Sequence, residues 1–242
     1  VAFPARSGGE ASPSAGPERA RRAGARRFAP RRRATRWNAA MDSREPPSPT
    51  FASVLDGLWS QLAEGQRLRH SPFHQAVLAT CAARGPSARY VVLRQVDRER
   101  GILGFHTDRR SEKWTELERD PRVALCFFGQ NVQVRAEGRA ALHADDAIAD
   151  LAWQRTGLMS RRCYLAHPAP GARLDAPGSG LPAHLAKHRP EEAESAAGRA
   201  NFAVVQVVLQ QIEWLHLAFE GHRRARFQRV GQGPWRGEWR VP

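Results

Sequence analysis

The chain has 242 residues and carries 38 Lys and Arg against 24 Asp and Glu, a formal net charge of +14. Such a charge points toward nucleic acid or a membrane surface, but residues 1–40 alone hold ten Arg and two Glu, which leaves +6 for the other 202 residues. The longest apolar stretch, Phe202 to Leu209, is interrupted by Gln206 and falls far short of the ~20 residues a membrane-spanning helix needs, and Cys81, Cys126 and Cys163 are too few and too scattered for a disulfide frame or a zinc site.

Residues 1–40 are rich in Ala, Gly, Pro, Ser and Arg and lack apolar periodicity, so a disordered basic extension is expected there. Three readings of it compete: upstream sequence read in frame, since Met41 stands just before the folded-looking part; an Arg-rich transit peptide; and an arm that binds nucleic acid. The first is the plainest. Residues 41–242 read as one domain. Phe51, Val54, Leu55, Leu58, Trp59 and Leu62 recur at helical spacing after Ser48-Pro49-Thr50, and Gly65 is expected to end that helix. Strands are expected at Gln75–Cys81, Arg89–Val96 and Ile102–Thr107, with turn chemistry at Asp97–Gly101. Ser111 is placed to cap a short helix that ends near Asp120-Pro121, and Arg122–Phe128 and Val132–Leu142 form a further strand pair.

An Ala-rich helix is expected from Ala144 to Arg155. A long Pro/Gly-rich loop follows over residues 167–200, with at most one helical turn near Ala183–His188. Phe202–Leu209, Ile212–Leu217, Arg223–Arg229 and Trp235–Val241 complete a mainly β chain with peripheral helices, an α+β arrangement around a closed antiparallel barrel.

Among the polar residues, Arg89, Thr107, Ser111 and Lys113 offer the cations and hydroxyls that a phosphate needs. Gln133 brings both a donor and an acceptor to a strand otherwise suited to packing. Each of these could equally be a surface residue or a helix cap. His184 and His188 are four apart but lack a clear third partner, so a surface pair is expected there and no metal site. No Ser-His-Asp arrangement, P-loop or GxGxxG stands out.

Taken in order, Arg89-Tyr90-Val91-Val92-Leu93-Arg94, Phe105-His106-Thr107-Asp108, Ser111-Glu112-Lys113, Gln133-Val134-Arg135-Ala136-Glu137-Gly138 and a Trp/Arg-rich C-terminus resemble the pyridoxamine 5′-phosphate oxidase-like family of FMN-binding split barrels. The resemblance covers roughly residues 51–242. It implies an antiparallel, Greek-key-like split barrel that binds FMN at the interface of a homodimer. The implied cofactor residues are Arg89, the strand Tyr90, Val91, Val92, Leu93 and Arg94, then His106, Thr107, Ser111, Lys113 and Gln133, and late in the chain Trp214 and Arg226. His106 stands where the family usually has Tyr. Glu112 stands where it has Arg, and a carboxylate there repels a phosphate unless it points outward.

The substrate side matches the oxidases less closely. Arg94 replaces a Lys, and Ala152 and Thr156 fall at a Tyr and an Arg. Ser160 is retained, and His222 and Arg224 take the places of a late Arg and His. Arg94, Ser160, His222 and Arg224 are the expected substrate residues. The run Arg162–Gly171 and the close Trp235 to Pro242 look more like the branch with an Alr4036-type FMN-binding domain. The implied protein is a cytoplasmic FMN-dependent oxidoreductase that moves hydride between a small organic molecule and flavin, not necessarily vitamin B6. A barrel that holds FMN or another planar ligand without turnover is the alternative. A nucleic-acid-binding protein is the more distant one, and would show salt-sensitive binding without residues 1–40.

Overall fold

The computed structural model describes residues 48–242; the expected basic extension, with its three readings, lies outside the described residues. Helix α1 (Phe51–Arg67) starts at a reciprocal cap. The Thr50 hydroxyl accepts the Ser53 N–H at 3.1 Å, and the Ser53 hydroxyl accepts the Thr50 N–H at 3.0 Å. Its apolar stripe of Val54, Leu58, Trp59 and Leu62 is buried on the barrel. The helix does not stop at Gly65 as expected. A Cβ at that position would sit 2.3 Å from the Phe73 carbonyl oxygen, so the glycine serves a close approach of the next segment, and the helix runs two residues further, to Arg67.

Eight antiparallel strands follow: β1 (Gln75–Ala82), β2 (Gly85–Asp97), β3 (Ile102–Asp108), β4 (Arg122–Gly129), β5 (Val132–His143), β6 (Phe202–His216), β7 (Arg223–Gln228) and β8 (Arg236–Arg240). They are bonded in the order β3-β2-β1-β4-β5-β6-β7-β8, and β3 also pairs with β6. The six strands from β3 to β6 therefore close a barrel, and β7 and β8 extend from it as a flap. The core inside is built from Phe73, Leu78, Phe105, Leu125, Phe127 and Ile212 with their neighbours, all essentially inaccessible to water.

Three local features depart from the sequence reading. Strand β2 begins at Gly85 and not at Arg89, because Gly85, Pro86, Ser87 and Ala88 continue the ladder opposite Ala79–Ala82. Pro86 is tolerated because β3 pairs with β2 only from Leu93 onward, so the other edge of β2 is open there. Strand β6 is a single 15-residue element, not two strands. Its first half pairs with β3 through Ile102↔Val208 to Asp108↔Phe202, and its second half pairs with β7 along the same edge. Opposite it, a register shift between Glu137 and Gly138 accommodates the bend.

The third departure concerns the expected loop of residues 167–200, which together with the residues just before it is not bare. Helices α2 (Glu112–Arg119) and α3 (Ala147–Arg155, capped by Asp146) agree with expectation. After α3 come α4 (Leu158–Arg161), α5 (Glu192–Ala196) and several 3-10 turns, including the expected one at Ala183–Leu185. Arg161, only 6% exposed, holds these pieces together. Its guanidinium donates to the carbonyls of Trp153, Gln154 and Thr156, pairs with Glu192, and lies 4.9 Å from the Trp153 ring centroid. A buried arginine with five donors can organise several carbonyls at once, which composition does not reveal.

Gly138 sits where β5 crosses the bend of β6, and a Cβ there would lie 2.2 Å from the Val208 carbonyl oxygen. Gly138→Ala is expected to lower stability by about 1–3 kcal/mol, since backbone on both strands has to shift. A chemical denaturation midpoint that drops with unchanged slope checks this.

Candidate cofactor and substrate site

At the mouth of the barrel, Thr107 and Asp108 end the paired part of β3, and the turn Asp108–Ser111 leads into α2. The turn is pinned by the buried Asp108 carboxylate, which accepts from the Arg110 N–H at 2.8 Å and from its guanidinium at 3.0 and 2.7 Å. Ser111 occupies the cap position of α2, yet its hydroxyl does not cap the helix. It donates to the Asp108 carbonyl at 2.6 Å and lies 3.3 Å from the Thr107 hydroxyl.

Lys113, the second residue of α2, places its Nζ 3.3 Å from the Thr107 hydroxyl and 3.2 Å from the Ser111 hydroxyl. Burial, and then the nearby Arg89 charge, pull the Lys113 pKa below the usual lysine range. Among the described residues its ammonium has no carboxylate partner. Arg89 is nearer to satisfied: its guanidinium pairs with Glu116 at 2.7 Å and donates to the Thr80 and Ser87 hydroxyls. Burial would raise the Glu116 pKa, but hydrogen bonds from Thr80 and Arg89 outweigh it and hold the carboxylate below its usual range. Glu112 is exposed and lies beside Gly171, and its charge still acts weakly on Lys113.

The four expected phosphate residues thus converge on one small, cationic, hydroxyl-lined recess. An ammonium and a guanidinium near two hydroxyls, with the neighbouring Glu116 and Asp108 carboxylates already paired to Arg89 and Arg110, match the donor set a phosphate monoester requires. Val91 and Leu93 point their side chains into the core, whereas Tyr90 is 73% exposed and Arg94 is also exposed. Since among the described residues β2 lacks a second neighbour before Leu93, the main chain at Tyr90–Val92 presents an open edge that a planar heterocycle can hydrogen-bond.

The later residues lie elsewhere in the chain. Gln133 sits on β5 between Phe128 and Leu215. Trp214 stacks on His216, with ring centroids 5.7 Å apart, in a groove against the start of α1. Arg224 and Arg226 share the Glu213 carboxylate, whose side chain is only 5% exposed. Arg226 reaches it at 2.9 Å, Arg224 at 2.9 Å and Arg135 at 3.3 Å. Burial opposes the charge on Glu213, but Arg226 and Arg224 outweigh it and keep its pKa below the usual range. Glu213 was not singled out from the sequence. Its signal was the strand period: Arg224 and Arg226 fall on one face of β7, and Glu213 is the cross-strand neighbour of Arg226. His222 lies in the exposed turn before β7, where its Nδ1 accepts the Ala218 N–H at 3.3 Å.

A cavity of about 800 Å³ opens on the outer side of β2, β3 and β6. It brings together Arg94, His106 and Ser160 with Ala152 and Thr156, while His222, Arg224, Arg226 and Trp214 do not line it. Its floor is the Gln95–Gln206 amide pair, bonded at 3.0 Å, and Gly104, where a Cβ would meet the Gln95 side chain at 2.9 Å. His106 packs edge-on against Phe202, and burial, followed by the Arg94 charge, lowers its pKa to about 4. The imidazole is therefore neutral at physiological pH and can accept or donate a hydrogen bond without adding charge. His184 pairs with Glu194 at 3.2 Å, and no cluster of three or more metal-ligating side chains is found among the described residues.

Set beside known proteins, residues 68–174 match the family model described as pyridoxamine 5′-phosphate oxidase. A pyridoxine/pyridoxamine 5′-phosphate oxidase of Rubrobacter xylanophilus is 39% identical over 120 residues, covering 48% of this chain and 51% of that protein. The chain spans about half, or less, of the length of the curated relatives it matches. Among solved structures, a pyridoxamine 5′-phosphate oxidase-related, FMN-binding protein of Nostoc punctiforme superposes with a TM-score of 0.61 at 24% identity. That match covers 80% of this chain and all of that one. PhzG of Burkholderia lata, solved with tetrahydrophenazine-1-carboxylic acid, gives a TM-score of 0.57 at 20% identity over 81% of this chain and 95% of that one.

The two structural matches establish the fold class, a closed antiparallel split barrel with peripheral helices. The sequence matches make the middle of the chain similar to pyridoxamine 5′-phosphate oxidases over residues 68–174. Among the described residues no helix is long and apolar enough to cross a membrane.

The position of His106 sets an acid-side expectation. Its pKa falls from 6.5 to about 4 on folding, so between those values the unfolded chain takes up a proton that the folded one refuses. Stability should fall as pH drops from 6.5 toward 4 and then level off for this group. His106→Gln should flatten that part of the profile. In NMR titration the His106 ring is expected to titrate near 4, and Arg94→Gln should recover only part of the shift, because burial is the larger cause.

Proposed function

We propose that this chain is a cytoplasmic FMN-dependent oxidoreductase acting on a small organic substrate, and that it works as a homodimer. The observation that carries the reading is the Lys113 ammonium, held between the Thr107 and Ser111 hydroxyls beside Arg89 and without a carboxylate of its own. Bound FMN would supply two-electron hydride chemistry at its flavin ring. Lys113, Thr107 and Ser111 hold the phosphate, with Arg89 positioned by Glu116 to add long-range charge. The open edge of β2 at Tyr90–Val92 meets the flavin rim, and the neutral His106 lies in the substrate cavity beside it.

Gln133, Trp214 and Arg226 stand apart from this recess within one chain, and the reading assigns Trp214 and Arg226 to the flavin of a second copy. His222 and Arg224 reach the substrate in the same way, opposite Arg94 and Ser160. A place in the branch with an Alr4036-type domain accords with Ala152 and Thr156 in the cavity wall, where the oxidases hold a substrate phosphate with a Tyr and an Arg. Those same two residues favour the second reading, a flavin-holding module without turnover. The two readings separate by whether bound flavin is reduced by any organic donor.

Purified protein should be yellow or take up added FMN, and Lys113→Met should weaken FMN binding about 10–100-fold, the worth of a charge-assisted hydrogen bond. A colourless wild-type protein that ignores FMN sinks the proposal. The shared site has its own test. Lys113→Met and Arg226→Ala chains, unfolded and refolded together, should recover about a quarter of the FMN sites, since half the dimers are mixed and each holds one intact site. Recovery of none would place both residues in one chain's site or neither in any.

A further inference from the structure

The 800 Å³ cavity has a charge pattern that phosphate binding at the barrel mouth does not use. Arg69 from the turn after α1, Arg94 from β2, Arg100 from the β2–β3 turn, Arg155 at the end of α3 and Arg189 from the segment before α5 all line it. Among the described residues no Asp or Glu lines it. Among the described residues none of these five guanidiniums makes an ion pair or a side-chain hydrogen bond, whereas Arg89, Arg109, Arg110, Arg161, Arg224 and Arg226 all do. Five cations drawn from five separate elements onto one concavity repel one another, and an anion seated among them relieves that repulsion.

The rest of the lining narrows the ligand. The floor of Gln95, Gln206 and His106 is neutral and already internally bonded in part, so it suits hydrogen-bonding edges and not charge. The opposite wall, Ile148, Leu151, Leu158 and Met159 on α3 and α4, is apolar and partly solvent-exposed. A carbon skeleton packs there while acidic groups reach the rim on more than one side.

We infer that the substrate of this site is a polyanion: an organic molecule with an apolar or flat body carrying at least two separated acidic groups, carboxylate or phosphate. The word substrate rests on the flavoenzyme reading above, while the polyanion preference rests on the cavity alone. The five arginines are exposed at the rim, so each contact is expected to be modest and salt-sensitive, and their sum gives the selectivity.

The test uses the full chain and three probes of one skeleton: benzoate, isophthalate and trimesate, with one, two and three carboxylates. Binding is read by calorimetry at low salt, with FMN uptake measured in parallel. Each added carboxylate should tighten binding about five-fold, and the pair Arg69→Gln and Arg155→Gln should weaken trimesate about ten-fold and benzoate by distinctly less, with FMN uptake nearly unchanged. Because every variant keeps the basic residues 1–40, only differences between variants count. Equal affinity for the three probes overturns the inference. So does trimesate binding that the double variant leaves unmoved, since the anion then sits elsewhere. If the carboxylate ladder holds but FMN is not taken up, the flavoenzyme reading falls and the polyanion cavity stands.

Discussion

The pairing of β3 with the first half of β6 is the constraint on which the rest depends. It closes the barrel, and in doing so fixes Thr107 opposite Ala203 and Asp108 opposite Phe202. The turn that carries Ser111 and Lys113 therefore leaves the barrel at one place and in one direction. The same ladder places His106 opposite Val204 and Gly104 opposite Gln206, which makes the floor of the cavity. Because β6 outlasts β3, its free edge passes to β7, and Glu213 is carried out to meet Arg226. One long strand thus positions the phosphate recess, the cavity floor and the Glu213 cluster.

The charge of the described part is organised by how far each cation is neutralised. Glu213 draws three arginines, Asp108 locks Arg110, and Glu116 holds Arg89. These pairs are half-buried, where a lone guanidinium or carboxylate is costly, so pairing is the condition for their being there at all. Lys113 keeps hydroxyl partners only, and burial with a like charge nearby lowers its pKa. The unpaired arginines around the cavity stay exposed, where hydration makes repulsion tolerable.

The strands, their turns and the ordered motif residues were legible because each is a local pattern. Asp97 accepts the Arg100 N–H at 2.8 Å in the turn its composition announced, and Val132, Val134 and Ala136 face the core as their alternation required. The bend in β6 was not legible: Gln210 and Gln211 read as a break between strands, whereas the bulge opposite Gly138 lets one strand continue through them. The order within residues 156–201 was hidden as well, since it comes from one buried arginine reaching across thirty-one residues to Glu192, not from periodicity. Likewise Arg69, Arg94, Arg100, Arg155 and Arg189 are spread over 120 residues of sequence, and only the closed fold gathers them. The groups that neighbour in sequence were readable, and those that neighbour only in space were not.

Arg161 has a consequence for motion. It fastens the end of α3, α4 and α5 to one another through carbonyls and through Glu192, whose side chain is 75% exposed. None of those partners is a barrel strand. The wall of the cavity is thus stitched internally, and it meets the barrel through Trp153 and Tyr164, which pack edge-on against Phe202 of β6. A sub-global opening of this wall has to break that aromatic contact, whereas the β3–β6 ladder that frames the phosphate recess need not part.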